Sequence, residues 1–301
     1  MKHQQEPEQR PAASQAPVSG LLPDFVIVGN AARDVIPGGW RLGGTIAFAA
    51  AQADRLGLRT GVVTRATPDM DVAGELSFAS VICRASDQPT SFENVYKPEG
   101  RIQRLLSQAG DLEVADVPEA WLTVPIALLG PVFGEIDPGM AGAFSAGSLV
   151  GVSAQGWVRA TGPDGRVRHQ AWSGAPYWAG AGVLFASDED LAGDEAELAR
   201  WVTDVPVVAV TRSSRGARVF VGGRVLEMDA YPAVEVDATG AGDTFATAFL
   251  VRYHETNDVA EAARFGAAAA SLSVEGIGAS SMGDRTAIEA RGAAHPHIRL
   301  A

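Results

Sequence analysis

The chain has 301 residues, a formal net charge of −12 at pH 7 and a single cysteine, Cys83. A chain this acidic is a poor general binder of nucleic acid or of anionic membrane surfaces, and no run of about 18 apolar residues is present to span a bilayer. One cysteine excludes an internal disulfide and a multi-cysteine zinc site, and the apolar neighbours of Cys83 predict a buried strand thiol.

The N-terminal segment, residues 1–22, is expected to be a flexible tail, because it is rich in Gln, Pro, Ala and Glu. It lacks the apolar core of a signal peptide, so the cytoplasm is the expected location. The rest of the chain, residues 23–301, is expected to form one domain.

From Phe25 onward, short apolar runs alternate with amphipathic stretches. Strands are predicted at 25–29, 60–64, 125–129, 148–152, 183–186, 207–211, 217–221 and 224–228. Helices are predicted at 44–56, from about 69, and at 138–145, 188–201, 241–254 and 258–274. This alternation predicts the α/β class, with a mostly parallel sheet and helices on both faces. Such sheets bind ligands beyond the carboxyl ends of their strands.

Residues 86–108 have a different pattern. Polar and apolar residues alternate over 90–96, residues 98–100 are Pro-Glu-Gly, and a strand is predicted to follow at 101–106. This pattern is typical of a hairpin with one face open to solvent. We expect a small β-lid over a cleft, built from about residues 31–42 and 86–108.

The most informative segment is residues 236–245, which read VDATGAGDTF and open a predicted helix. Its glycines let the backbone approach a ligand closely, and a helix start offers unpaired N–H groups and a positive dipole end. Together these features predict an anion site that suits phosphate. Asp243 would repel that phosphate unless it accepts a proton from an attacking hydroxyl group, as a general base does. The alternative is that Asp243 only complements the helix dipole.

The sequence D-x-x-G-A-G-D, at residues 237–243, resembles the second signature of the PfkB/ribokinase carbohydrate kinases. The resemblance implies a ribokinase-like fold, in which Gly240, Ala241 and Gly242 form the anion hole for the transferred phosphoryl group. It implies that Asp243 is the catalytic base, with ATP and Mg²⁺ as cofactors and a small-molecule polyol as the phosphate acceptor. It also allows a monovalent cation as a further cofactor and a homodimer formed through the lid.

The resemblance extends from about residue 24 to residue 281 and includes the region expected to bind the acceptor. Gly43 and Gly44 match the family's di-glycine near the substrate, and Asp34 resembles the early Asp that binds substrate hydroxyls. A carboxylate suits that role because it can accept hydrogen bonds from two neighbouring hydroxyls; the alternative is a turn or cap residue. Phe48 stands where many sugar kinases of the family have Asn, which argues against ribose or fructose phosphate as the substrate.

The segment after the strand at 207–211 resembles the family's nucleotide loop, and the resemblance places Thr211, Ser213 and Gly216 against the nucleotide. The two arginines of this loop could meet a phosphate or be solvated charges. Ser187 and Asp190 stand where the family usually has Asn and Glu near magnesium and phosphate. Oxygen ligands suit Mg²⁺, here through water; the alternative is an ordinary acidic helix start.

The finer resemblance is to the myo-inositol kinase branch of the family. It rests on Phe48, the short lid, residues 130–135 and residues 151–159. In the last of these segments Gln155 and Arg159 could face the substrate; the alternative is that they cap or pair on the surface.

A neutral polyol is the expected acceptor, because residues 30–48 contain only Arg33 and Arg41 as cations. A phosphorylated sugar would need a charged clamp there, most naturally a bidentate arginine.

Two other functions stay open, a nucleoside kinase of the same fold and a non-catalytic sugar-binding sensor. Asp243 argues against the sensor, which gains nothing from a proton acceptor beside phosphate. A Rossmann dehydrogenase is excluded because no GxGxxG follows the first strand.

Overall fold

The computed structural model describes residues 21–97, 100–172 and 174–296, so the predicted tail lies outside the described residues up to residue 20. The strands are β1 (Phe25–Val28), β2 (Ala32–Ile36), β3 (Gly39–Gly43), β4 (Thr60–Ala66), β5 (Ser80–Ala85), β6 (Thr90–Lys97), β7 (Gly100–Ser107), β8 (Ile126–Leu129), β9 (Leu149–Ser153), β10 (Arg159–Thr161), β11 (Val167–His169), β12 (Val183–Ser187), β13 (Val207–Thr211), β14 (Ala217–Val221) and β15 (Arg224–Met228). The helices are α1 (Thr45–Arg55), α2 (Val72–Glu75), α3 (Met140–Ala143), α4 (Ala175–Trp178), α5 (Asp188–Leu191), α6 (Glu195–Asp204), α7 (Ala241–Thr256), α8 (Val259–Ser273) and α9 (Arg285–Ala294). In the described ranges no helix is both long and apolar enough to cross a membrane.

The main sheet has the strand order β15-β14-β13-β12-β9-β8-β1-β4-β5. Its pairs are parallel except β13–β14 and β14–β15, the second of which is the predicted hairpin. β1 and β8 read FVIV and IALL and are buried along their whole length, as strands covered on both faces must be. The predicted α/β class with a mostly parallel sheet is confirmed.

The apolar core lies on both sides of this sheet. On one side α1, α7 and α8 pack against it, with Phe245 and Phe249 buried at their centre. On the other side the large rings of Trp121 and Trp201 fill the space below the strands. This two-sided packing fixes the strand ends, and so the loops that follow them, in one rigid arrangement.

A second sheet has the order β3-β2-β6-β7, with β2–β6 parallel and the other two pairs antiparallel. Its strands occupy the two segments for which the sequence predicts a lid. Val35, Ile36 and Leu106 are exposed on it, consistent with a sheet that has one face in solvent.

Five local features differ from the sequence prediction. The helix predicted at 188–201 is two helices, because Ala192 and Gly193 both have positive φ and end α5. The helix expected from about residue 69 is a single 3-10 turn followed by the four-residue α2. The ribbon β10–β11 and the helix α9 are not predicted at all. Cys83 is exposed on β5, because β5 is an edge strand of the main sheet; the prediction of a buried thiol is wrong.

Candidate active site

A cleft of about 1410 Å³ opens at the carboxyl ends of the central strands. Ser153, Ser187 and Thr211 line it, and they are the last residues of β9, β12 and β13. Asn94 and Gln103 of the second sheet line it from the other side. The cleft therefore lies where open α/β sheets bind ligands.

Nearly all the residues singled out in the sequence meet in this cleft. The lining includes Asp34, Gly44, Phe48, Gln155, Ser187, Asp190, Thr211, Ser213, Gly216, Gly240, Ala241, Gly242 and Asp243. Gly43 does not line the cleft but lies behind Asp34, since a β-carbon on Gly43 would overlap the Asp34 carboxylate. Gly43 thus leaves the room that this carboxylate occupies.

The anion-hole segment forms the first turn of α7. Gly240 precedes the helix with φ 80°, a left-handed conformation that favours glycine, and its carbonyl accepts from Thr244 N at 2.9 Å. A β-carbon on Gly242 would meet no atom within 4 Å, so the backbone there faces the open cleft. The arrangement exposes helix N–H groups and the positive dipole end to a ligand.

Asp243 follows directly in this turn and is half-buried. Burial raises the pKa of its carboxyl to about 6, and the negative charge of Asp190 adds to the rise. A hydrogen bond from the side chain of Thr45 and the positive charge of Arg159 oppose it. A carboxylate with this pKa is largely ionised at neutral pH and can still hold a proton for a short time, as a general base requires.

The acceptor side of the cleft is built on a buried carboxylate. Glu135 is 1% exposed and accepts hydrogen bonds from the backbone N–H groups of Asn30, Val132 and Phe133, at 2.8–3.0 Å. Burial raises its pKa. Glu135 thereby joins the loops that follow β1 and β8, and these loops support the residues that line the cleft.

Asp190 acts as a helix cap in this structure. Its Oδ2 accepts from Ser187 N and Ser187 Oγ, both at 2.8 Å, while Asp190 N donates to Ser187 Oγ at 3.1 Å. This reciprocal pair is a capping box at the start of α5. Among the described residues, no cluster of three or more His, Cys, Asp or Glu side chains is arranged to hold a metal. The alternative weighed from the sequence, an acidic helix start, is thus a role that Asp190 does fulfil.

The donor side combines the predicted nucleotide loop with an apolar wall. Gly216 has φ 84°, and a β-carbon there would overlap the carbonyl oxygen of Met228, so glycine is required. Of the two loop arginines, Arg212 lies 3.7 Å from Glu227 and Arg215 pairs with Asp188. The apolar wall of the same cleft is made of Ala230, Tyr231, Pro232, Ala233, Ala267, Ala270, Val274 and Ile277.

The ribbon β10–β11 brings cations to the cleft that lie outside residues 30–48, and of these only Arg159 is singled out by the sequence. Arg159, Arg168 and His169 line it. Arg159 Nη1 donates to the carbonyl of Val132 at 3.2 Å, and His169 Nε2 lies 3.8 Å from a carboxylate oxygen of buried Glu197.

The sequence did contain a signal for this ribbon, a Gly-Pro-Asp-Gly turn at residues 162–165 between two short alternating runs. Of the two arginines weighed from the sequence, only Arg41 lines the cleft, while Arg33 hydrogen-bonds Asp69 at 2.5 Å. Residues 30–48 hold only Arg33 and Arg41 as cations, but Arg159, Arg168 and His169 line the cleft as well.

Residues 178–286 match the model of the pfkB family carbohydrate kinases. Over these residues the chain is similar to the pfkB family carbohydrate kinases. It is 43% identical over 70 residues to the ribokinase of Bacillus subtilis (strain 168), a match that covers 23% of this chain and 24% of that protein. It is 29% identical over 273 residues to the inositol 3-kinase of Oryza sativa subsp. japonica, covering 81% of this chain and 67% of that protein. The matches to ribokinases thus span only about a quarter of those relatives' length.

The fold of this chain is shared with solved kinases. Arabidopsis thaliana ribokinase complexed with ribose and ATP has a TM-score of 0.68 at 23% identity, covering 90% of this chain and 99% of that one. A pyrophosphate-dependent kinase of the ribokinase family, complexed with a pyrophosphate analog and myo-inositol, has a TM-score of 0.71 at 21% identity, covering 88% and 99%. The ribokinase-like fold expected from the sequence is confirmed.

Proposed function

We propose that the protein is a kinase that transfers the γ-phosphoryl group of ATP to a hydroxyl of a neutral polyol, a cyclitol such as myo-inositol. The observation that carries this proposal is the position of Asp243. Its carboxylate lies in the first turn of α7, next to the open backbone of Gly242, in a cleft at the carboxyl ends of the strands.

The reaction follows from this arrangement. The N–H groups of Gly240 and Gly242 hold the phosphoryl oxygens and stabilise the charge that develops on them, and Ala241, whose N–H donates to the carbonyl of Ala238 at 3.2 Å, joins the two. Asp243 accepts the proton of the acceptor hydroxyl as its oxygen forms the new bond to phosphorus and the bond to the leaving ADP breaks. Arg159, whose charge already acts on Asp243, is close enough to offset negative charge at the transfer point.

The oxygen ligands present suit a magnesium ion. Bound Mg²⁺ would neutralise part of the charge on the nucleotide phosphates. Asp190 lines the cleft with Asp243, and both hydrogen bonds of its side chain to Ser187 use the same carboxylate oxygen, Oδ2. We therefore assign Asp190 to the ion, with water between them.

The choice of ATP over pyrophosphate rests on the apolar wall of the donor side. A purine ring needs flat apolar surface, and Ala270, Val274 and Ile277 supply it in the same cleft as the loop that contains Thr211 and Gly216. Pyrophosphate has no apolar part and gains nothing from this wall. The wall thus supports a nucleotide donor.

The choice of a neutral polyol rests on the charges around the acceptor side. Three of its cations already lie near acids: Arg41 is 3.5 Å from Asp237, Arg168 is 3.0 Å from Asp164, and His169 is 3.8 Å from Glu197. Asp34 and Gln155 offer hydrogen-bonding groups for hydroxyls. The similarity to inositol 3-kinase over most of the chain supports a cyclitol in particular.

The proposal is tested with a grid of donors and acceptors. The purified protein is incubated with ATP or pyrophosphate and, in turn, myo-inositol, ribose, fructose, common nucleosides and fructose 6-phosphate, and kcat/KM is measured for each pair. We expect the highest value for ATP with myo-inositol. If kcat/KM is highest with pyrophosphate, the proposal that ATP is the donor is refuted. If it is highest with fructose 6-phosphate, the proposal of a neutral acceptor is refuted. If it is highest with a nucleoside, only the proposal of a cyclitol is refuted.

A further inference from the structure

One short segment of the acceptor side contacts the phosphoryl-transfer motif at three points. Arg41 at the end of the second sheet lies 3.5 Å from Asp237, Thr45 in the first turn of α1 hydrogen-bonds Asp243, and the Phe48 ring lies on Gly240. Thr45 and Phe48 are three residues apart and so share one face of α1. This face of α1 is packed against α7, the helix that the motif opens.

The contact between Phe48 and Gly240 is the tightest of the three. A β-carbon on Gly240 would overlap Cγ, Cδ1 and Cε1 of Phe48, so the ring fills the space that a side chain at Gly240 would take. Phe48 is 8% exposed, and the ring is therefore buried between the body of α1 and the start of α7. Gly240 is also the residue that precedes α7 in a left-handed conformation, with φ 80°.

We infer that Phe48 is a positioning residue of the anion hole. Its ring packs against Gly240 and holds that turn in place, and it does not serve mainly as a contact for the acceptor. The inference rests on the proposed function for its kinetic consequence, but the contact itself concerns only the phosphate site. Removing part of the ring leaves Gly240 unsupported. The turn then samples other conformations, and the N–H groups lose their common direction.

The first experiment measures phosphate binding without turnover. Pyrophosphate binding is followed by titration calorimetry for the wild type and Phe48→Leu, with Phe249→Leu as the matched control, since Phe249 is a fully buried ring of α7 that does not line the cleft. We expect Phe48→Leu to weaken pyrophosphate binding at least about 5-fold and Phe249→Leu to leave it within about 2-fold, because only the first ring supports the donors that bind the anion. Equal affinities of Phe48→Leu and the wild type would refute the inference.

The second experiment separates this role from an acceptor contact and from simple core packing. In steady-state kinetics, Phe48→Leu should raise KM for the donor or lower kcat, with KM for the acceptor changed less than about 2-fold, because ground-state contacts with the acceptor are intact. A rise confined to the acceptor KM would make Phe48 a substrate contact and overturn the inference.

The third experiment tests the contact itself. Gly240→Ala should lose pyrophosphate binding, and adding Phe48→Ala should recover part of it, because the two side chains no longer overlap. Losses that simply add would refute direct contact. If the wild-type protein binds pyrophosphate but phosphorylates no acceptor, the proposed function is refuted. The effect of Phe48 on pyrophosphate binding would still hold.

Discussion

At the scale of single residues, Asp243 is a carboxylate of the cleft whose environment differs from that of an exposed one. Burial and the charge of Asp190 raise its pKa to about 6, whereas the ordinary value is 3.8. We expect kcat/KM to rise with pH and to reach half of its plateau near pH 6, because only the ionised carboxylate accepts a proton. A pH profile measured from pH 5 to 9 checks this, and a profile flat down to pH 5 would contradict the assignment.

The same raised pKa predicts an effect on stability. Because the folded pKa exceeds the unfolded one, the folded state binds the proton more tightly, so stability from this group is fully present below pH 3.8 and is lost as pH rises through about 6. Asp243→Asn, which carries no charge, should therefore raise Tm more at pH 7.5 than at pH 5. An equal change at both pH values would show that Asp243 is not desolvated in solution.

Thr45 gives a second prediction at this scale. It is 3% exposed, and its hydroxyl hydrogen-bonds the Asp243 carboxyl, which orients the base and favours its charged form. We expect Thr45→Val to lower kcat about 10-fold, which is the cost of one hydrogen bond to a charged group. The acidic limb of the pH profile should move to higher pH, because the hydrogen bond that lowers the pKa of Asp243 is lost. Thr45→Ser should restore most of the activity. The control is Thr247→Val, because the buried hydroxyl of Thr247 has no hydrogen-bond partner within the described part of the chain.

At the scale of secondary-structure elements, the start of α7 is the element that the sequence identifies best. Its glycines and acid are contiguous, so the motif is visible without knowledge of the fold. The strands are predicted for a similar reason, since β1 and β8 are short, wholly apolar runs and β13 is apolar up to its last residue, Thr211. α9 is missed because Ile288 is its only buried residue, which gives no apolar stripe to detect. The break between α5 and α6 is missed because it depends on the left-handed conformation of Ala192. Alanine rarely adopts this conformation, so the residue type does not predict it.

The first turn of α7 yields a prediction that separates binding from folding. A β-carbon at Gly242 meets nothing within 4 Å, so Gly242→Val should fold with near wild-type Tm while its side chain projects into the phosphate site. We expect loss of calorimetric binding for a non-hydrolysable ATP analogue. Unchanged analogue binding by the folded variant would remove the anion-hole assignment.

The capping box at the start of α5 yields another prediction. Asp190→Ala removes both a helix cap and the assigned magnesium ligand, whereas Asp194→Ala removes only a cap, that of α6, away from the cleft. Both changes should cost about 1 kcal/mol of unfolding free energy, but only Asp190→Ala should raise the Mg²⁺ concentration needed for half-maximal rate. Matching Mg²⁺ dependence in the two variants would reduce Asp190 to a structural cap.

At the scale of the whole molecule, the cleft is assembled from segments that are far apart in the chain. Asp34, Gln155, Thr211 and Asp243 converge because parallel strands present their carboxyl ends on one edge, and this much follows from the fold class. The placement of Arg168 and His169 does not follow from it, because the ribbon β10–β11 crosses the cleft through tertiary contacts alone. The acceptor side is therefore less predictable from sequence than the phosphate side, whose motif is local.

The central claim is that Asp243 acts as the base in phosphoryl transfer to a hydroxyl, and transfer from ATP to myo-inositol by the wild type and Asp243→Asn tests it most directly. Product phosphate ester is quantified by ³¹P NMR, with circular dichroism and nucleotide affinity measured on the same samples. We predict that the wild type forms the ester and that Asp243→Asn, folded and binding nucleotide, loses at least about 10²-fold in kcat, the lower range for general-base catalysis. A folded Asp243→Asn protein that keeps more than about half of the wild-type kcat would contradict the account.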